Sequence, residues 1–432
     1  MQKSIWSDSV KLPAYDKLNE DITTDVLIIG GGICGILCAY FLKKAGVDCV
    51  VVEGNTIASG ITKNTTAKIT FGHGLIYSDL IKKSGMHDAQ LYLAAHQFAL
   101  NEYEKLCKSI NCDFTKQSSY IYSVDNRRKI ENEIDALDKI GFKASFVDNI
   151  ELPLKIDGAV CFENQAQFNP LKFIAEISKN LNIYENTFVK DITHGKAITN
   201  DATIKANAII VATHFPFINK HGAYFMKLYQ ERSYVSAFKN AQSLKSMYLD
   251  ESKNGFSFRS YKDFLLIGAG NHRTAKDSLA WRPTHEFAKL GYPKATLEYR
   301  WATQDCMSLD NIEYIGQYSI NTPNLYVATG FNKWGMTSSM LSAIILKDMI
   351  VGAENEFKNI FSPSRSMLKP QLLINTFESA RNLIIPSEKR CPHLGCSLKW
   401  NKNEHTWDCP CHGSRFEKNG KLIDNPSTRD LE

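Results

Sequence analysis

The sequence predicts an α/β domain at the front of the chain, an α+β domain inserted into it, and a small all-β domain at the C-terminus. Three observations carry this reading. Residues 24–53 spell a strand, a glycine turn, a helix and a second strand; residues 86–303 pass from helical periodicities to strand-like text; and the last 60 or so residues are short alternating stretches around a knot of cysteine and histidine.

At 432 residues the chain is too long for one ordinary core, so two or three domains are expected. With 44% hydrophobic and 22% charged residues, the composition is that of a globular protein. A net charge of +5 is small for this length, and no basic run interleaved with aromatics supports nucleic-acid binding. The opening MQKSIWSDSVKLPAYDKL lacks the apolar stretch of a signal peptide, and no run of about 18 apolar residues could span a bilayer, so a cytoplasmic protein without a transmembrane segment is expected. Seven scattered cysteines (34, 38, 49, 107, 112, 161 and 306) read as reduced, mostly buried thiols, whereas four within residues 391–411 call for a local chemical reason.

In TDVLIIGGGICGILCAYFLKKAGVDCVVVE, Val26–Ile29 has the length and β-branching of a buried strand. Gly30, Gly32 and Gly35 then fit G-x-G-x-x-G, a helix runs to about Ala45, and a second strand ends at Glu53. Each part has a task in a Rossmann-like unit. Gly30 permits the tight turn, Gly32 lets a pyrophosphate approach the backbone, and Gly35 lets helix and strand pack closely; the helix N-terminus faces the phosphates and Glu53 the ribose hydroxyls. The other candidate, Gly268-Ala269-Gly270, lacks the third glycine and a following helix. One bound dinucleotide is the economical reading.

The next segment, GNTIASGITKNTTAKIT (54–70), resembles the Ser/Gly/Thr-rich loop that wraps the flavin phosphates in flavoproteins related to glycine oxidase and D-amino acid oxidase. AIIVATHFPF (208–217) resembles the strand and loop returning to the FAD domain of that class, and NLYVATGFNKWGMTSSMLSAIIL (324–346) its closing strand–loop–helix. The resemblance implies FAD as cofactor, with Thr65 and Thr66 from the first segment and Gly330, Phe331, Gly335 and Met336 from the last at the flavin, and the final helix pointing its N-terminus at the ring.

In the middle, residues 86–110 and 127–140 carry helical periods, and Asn169-Pro170 reads as an N-cap followed by proline at the first helical position. FSFRSY, Lys262-Asp263 and FLLIGAG read as a hairpin. A substrate carboxylate would need a cation. Arg259, His272 and Arg273 lie on or just after the hairpin, and Lys68 lies by the flavin loop; each is a substrate-site candidate, and each reads equally as a solvated strand-end charge. Trp334 either faces the flavin or plugs the domain seam. Cys107 and Cys112 have the C-x4-C spacing of a redox disulfide but end an amphipathic helix, and Cys34 and Cys38, one turn apart, read as packing residues.

The C-terminal knot reads CPHLGCSLKWNKNEHTWDCPCHGS (391–414). Zinc sites prefer C-x2-4-C knuckles or C-x2-C with H-x3-5-H. Here C-x-H (Cys391, His393) and C-x-x-H (Cys409, His412) supply two thiolates and two imidazoles, which matches a Rieske [2Fe–2S] cluster: the cysteines on one iron, the histidines on the other. The whole pattern resembles the Rieske proteins of quinol-oxidising complexes. That resemblance implies a disulfide between Cys396 and Cys411 and a hydrogen bond from Ser414 to a cluster sulfide. Phe416 stands where those proteins have a tyrosine, so a lower potential is expected. Asn425-Pro426 stands for their third cluster loop, and His405 is off the pattern.

The combination resembles proteins that fuse a glycine-oxidase-like FAD domain to a Rieske domain. On this reading the FAD-binding domain takes 22–85, 161–215 and 304–352, the inserted substrate domain 86–160 and 216–303, a linker 353–370, and the Rieske domain 371–432. A flavin takes two electrons and can pass them on singly. The expected function is oxidation of a small amine or amino acid, with electrons leaving through the cluster to an unknown acceptor. Flow in the opposite direction, from a donor through the cluster to a substrate at the flavin, is the second reading; a redox carrier or sensor without a small-molecule substrate is the third.

Overall fold

The computed structural model describes residues 3–193 and 195–432. Its first sheet is built on the strand Ile22–Ile29, flanked in parallel by Cys49–Val52 and Thr203–Val211, with Leu325–Thr329 parallel beyond the latter. Side chains alternate between two cores. Val26, Ile28, Cys49 and Val51 pack on one face, against the helices Ile33–Lys44 and Gly335–Val351, while Leu27, Ile29, Val50 and Val52 pack on the other. Burial of both faces is why these strands read as unbroken apolar runs.

The second sheet has nine strands. Its order starts with Thr296–Met307, Tyr229–Lys239, Phe264–Arg273 and Ser257–Tyr261, and continues through Met247–Asp250, Thr115–Ser123 and Gly158–Gln167 to Lys68–Ile69. The hairpin 257–273 forms as expected. The boundaries shift, however. Gly158–Gln167 lies wholly in this sheet, carrying it past 160, Thr296–Met307 carries it past 303, and the loop 54–70 itself contributes the edge strand 68–69.

Two further expectations need correction. Residues 353–370 are no free linker: Phe357, Ile360 and Phe361 are buried in the main core, and Arg365 grips Asp310 with Nε and one terminal nitrogen at 2.9 and 2.8 Å. Residues 370–384, expected as short strands, form the helix Pro370–Ile384, started by proline at its first position. The C-terminal β domain is thus smaller than expected, a four-stranded antiparallel sheet of Lys399–Asn401, Thr406–Asp408, Arg415–Glu417 and Leu422–Asp424. Among the described residues no helix is long and apolar enough to cross a membrane.

The small domain is docked on the second sheet by buried charge. Glu404 accepts from Arg232 and Arg415, and Arg415 also reaches Asp408 at 3.1 Å and Asp424 at 3.1 Å. Burial pushes the Glu404 carboxyl up, but the two guanidinium groups more than reverse this and hold it below the ordinary glutamate range. Its contribution to stability is therefore present at neutral pH and lost on acidification below that range. Glu404→Ala should cost about 3–5 kcal/mol at pH 7, because buried Arg232 loses its carboxylate partner, while Arg415 keeps Asp408 and Asp424. Glu131→Ala, breaking the exposed Arg127–Glu131 pair, should cost under about 1 kcal/mol. Denaturant titration of both variants at pH 7 checks the difference, and similar costs would contradict it.

Candidate functional site

A cavity of about 770 Å³ opens at the C-terminal end of the first sheet. Gly30, Gly32, Glu53, Thr65 and Thr66 line it from the front of the chain, and Phe331, Trp334, Gly335 and Met336 from the closing loop and helix. Gly30 sits at φ +113°, and a Cβ there would lie 2.6 Å from the Ala212 carbonyl oxygen. Gly35 is off the cavity; a Cβ on it would lie 1.9 Å from the Gly30 oxygen, so it is the close-packing glycine of the turn. Glu53 accepts from the Gly31 amide at 2.7 Å and the Asn55 amide at 2.9 Å. Burial raises its pKa, partly opposed by those amides. Gly330 packs at φ +70° against Leu228, Ser308 and Tyr314 and is not part of the lining.

The loop 54–70 is pinned through its carbonyls. Trp6 Nε1 donates to Thr65 O at 2.7 Å, Trp301 Nε1 to Asn64 O at 2.8 Å, and Arg259 to Thr66 O and Ala67 O at 2.5 and 2.9 Å. Arg259 is therefore a loop clamp and not a substrate ligand. It is fully buried off the cavity, and burial lowers its pKa to about 9. His272 and Arg273 also turn away. The pairing of their strand with Tyr229–Lys239 shifts register between Arg232 and Tyr234, opposite Gly270 at φ +74°, and this bulge re-aims the strand end. His272 stacks on Tyr234, while Arg273 donates to the carbonyls of Pro410 and Cys411, each at 3.3 Å.

Of the four candidates only Lys68 lines the cavity. It donates to Tyr248 O at 2.8 Å and Ser257 Oγ at 2.7 Å, and burial, with Arg259 nearby, pulls its pKa to about 7. Sequence reasoning missed its counterpart. Asp305 lines the same cavity without a hydrogen-bond or ion-pair partner among the described residues; burial raises its pKa to about 6, against the pull of Lys333. Lys333 also lines the cavity, held by Glu231 at 2.9 Å and Asn271 at 3.0 Å. Alternation puts Ser233, Val235, Thr303 and Asp305 on the cavity face of their strands. A single sequence carries no signal of which face that is.

Trp334 faces the cavity and stacks on His73, 4.6 Å between rings, forming a wall shared with a second cleft of about 210 Å³. Behind it lie buried His96 and Glu313, 3.5 Å apart. Both His73 ring nitrogens are taken, by Tyr92 Oη and Thr70 O, so the trio does not offer the three donors of a metal site.

In the small domain the two motifs form matching loops. Gly395 N donates to Cys391 O at 2.9 Å, and Gly413 N to Cys409 O at 3.0 Å, with both glycines near φ +80°. The Cys391 and Cys409 thiols lie within hydrogen-bonding reach of each other. The His393 and His412 rings are 4.9 Å apart, and Cys396 and Cys411 form a disulfide. Among the described residues Nδ1 of both histidines is buried without a partner, and burial lowers His393 to about 4 and holds His412 well below the usual imidazole range. Two neutral imidazoles with orphaned nitrogens beside two thiols fit the Rieske donor set. Ser414 Oγ accepts from the Ser427 amide at 2.9 Å, leaving its proton free to donate. His405 is exposed and off the site. Cys34, Cys38, Cys107 and Cys112 are free thiols, the last two 3.3 Å apart.

The cluster loops sit on the second sheet. Gln230 Nε2 donates to His412 O at 2.8 Å and Gln304 Nε2 to Gly413 O at 2.9 Å, from the strands that line the cavity through Ser233, Val235, Thr303 and Asp305. Residues 421–425 and 427–430 of the small domain themselves form part of the cavity wall, and Asn425 Nδ2 donates to Thr213 O and Phe215 O.

A dinucleotide cavity of this type beside a two-cysteine, two-histidine centre defines a flavoprotein oxidoreductase with a Rieske domain. The chain belongs to the FAD dependent oxidoreductase family, which matches residues 25–349, and the Rieske [2Fe-2S] domain matches residues 349–432. It is 33% identical to the Rieske 2Fe-2S iron-sulfur protein YhfW of Bacillus subtilis, over all of this chain and 97% of that one. It is also 21% identical to gamma-glutamylputrescine oxidoreductase of Escherichia coli, over 80% of this chain and 88% of that one. The fold is shared with glycine oxidase from Geobacillus kaustophilus, at TM-score 0.68 and 19% identity, over 80% of this chain and 99% of that one. FAD and a [2Fe–2S] cluster are accordingly its cofactors.

Gly35→Ala tests the cradle. The new methyl must move the Gly30 carbonyl, so the variant should purify with under roughly a tenth of the wild-type flavin per chain, read from visible absorbance after denaturation. Normal flavin content would show that the turn can yield.

Proposed function

We propose that the protein oxidises a small amine or amino acid at its C–N bond and delivers the electrons through the Rieske centre to a separate acceptor. One observation carries this reading: the cavity with the dinucleotide fingerprint presents a cation, Lys68, and an unpartnered carboxylate, Asp305, and the sheet bearing Asp305 holds the cluster loops on its other side. When bound, FAD supplies a hydride acceptor and the cluster a one-electron centre. Two of the similar proteins are named for nitrogenous compounds, glycine and gamma-glutamylputrescine.

The roles of the side chains follow from their charges. Protonated Lys68 holds a substrate carboxylate, and Asp305 accepts a hydrogen bond from the substrate nitrogen and takes its proton as the C–N bond becomes an imine. Phe331 and Trp334 are the apolar wall that keeps water from the reacting carbon.

The test is anaerobic mixing of the holoprotein with a panel of amines and amino acids, followed by optical and EPR spectra. Flavin bleaching followed by a reduced-cluster signal supports the proposal; a panel that leaves both centres oxidised overturns it. The pH dependence assigns the roles. Lys68 loses its proton as pH rises through about 7, so a carboxylate inhibitor should bind more weakly above that pH, and Lys68→Met should abolish the dependence. Asp305 gains its charge as pH rises through about 6, so an amine inhibitor should bind more tightly above it. Asp305→Asn should remove that rise and weaken amine binding roughly ten- to a hundredfold. Unchanged profiles in both variants would remove the two residues from the site.

A further inference from the structure

The helix Pro370–Ile384 is amphipathic in the reverse sense. Its inner face is polar. Asn375 is buried between the Arg273 guanidinium and Met226 O, Glu378 pairs inward with Lys276 at 2.7 Å, and buried Asn382 receives the Ser397 amide on its carbonyl. Its outer face is apolar. Leu373, Ile374, Phe377, Leu383 and Ile384 are 45–80% exposed, and Arg381 is the only charged residue among the helix's exposed positions. Leu368 before the helix extends the patch at 87% exposure, and Leu383 reaches toward Gly395 in the cluster loop. Contiguous exposed apolar surface on this scale marks an interaction site.

We infer that this face is a self-association surface, covered by the same helix of a second copy of the chain. Two features favour that occupant. Leu373, Phe377, Ala380 and Ile384 are spaced four, three and four residues apart, the seam of a two-helix coiled coil. In an antiparallel twofold pair this seam is complementary to itself, with Leu373 against Ile384 of the other copy and the large Phe377 against the small Ala380. The area is also sufficient. At ~100–150 Å² exposed per side chain, the six residues offer on the order of 700 Å² per copy, near the ~800 Å² each partner gives to a stable interface. The pair brings two cluster domains to one seam, since exposed Leu394, next to the ligand His393, lies on the loop that Leu383 approaches.

Sedimentation velocity and light scattering of the full-length holoprotein at micromolar concentration should give twice the chain mass. Phe377→Glu and Ile384→Glu should each weaken the dimer at least tenfold while leaving flavin and cluster absorbance intact, because both side chains point away from the fold. A Phe377→Cys, Ala380→Cys double variant should form an intermolecular disulfide between positions 377 and 380 on oxidation, identified by peptide mass. A monomer at all concentrations overturns the inference, as does a dimer indifferent to both glutamates. A monomer that floats with anionic phospholipid vesicles overturns it as well and assigns the face to a membrane surface.

Discussion

The pleat of two β-strands organises this molecule. Along Tyr229–Lys239, residues 231, 233 and 235 turn to the flavin cavity or its lysine, and residues 230, 232 and 234 to the small domain. Along Thr296–Met307, Thr303 and Asp305 face the cavity while Gln304 holds a cluster loop. The partition between the cavity and the two Cys–His loops is thus one polypeptide layer thick, and the period of two along the strands is what places a different chemistry on each side. A slip of one residue in either strand would exchange the two sets of side chains.

The docking of the small domain follows from the same layer. Its contacts are polar almost throughout: the Glu404 network, two glutamine amides on the cluster loops, and Asn219 at 2.8 Å from His393 Nε2. Hydrogen bonds of fixed direction specify one orientation, whereas an apolar seam of equal area would tolerate sliding. His412 is buried against the rings of Phe215 and Phe225.

What could be read from the sequence was what local spacing dictates. The glycine turn at 30–35 and the two Cys–His motifs are each set by contacts a few residues apart: a Cβ on Gly35 would meet the Gly30 carbonyl oxygen, and the His393 and His412 rings lie 4.9 Å apart. Long-range pairing decided the rest. Arg259 was legible as a cation on a hairpin, but its role depends on a loop 193 residues away. Asp305 was invisible because alternation gives two faces and only the neighbouring strands say which is the cavity. The helix 370–384 was misread because its apolar residues lie outside, so a rule that seeks a core behind every apolar run looks in the wrong direction.

The segment 421–430 also bears on how the protein folds. It shares one cavity with Ile29, Gly30, Gly32, Ile33 and Cys34, almost the whole length of the chain away. The glycine turn and its strands close through near neighbours and can form early, but the cavity wall is complete only after the small domain has docked, a contact with high loop-closure entropy. The enclosed shape of the cavity therefore belongs to the docked chain alone: domain docking, rather than the fingerprint, completes its wall.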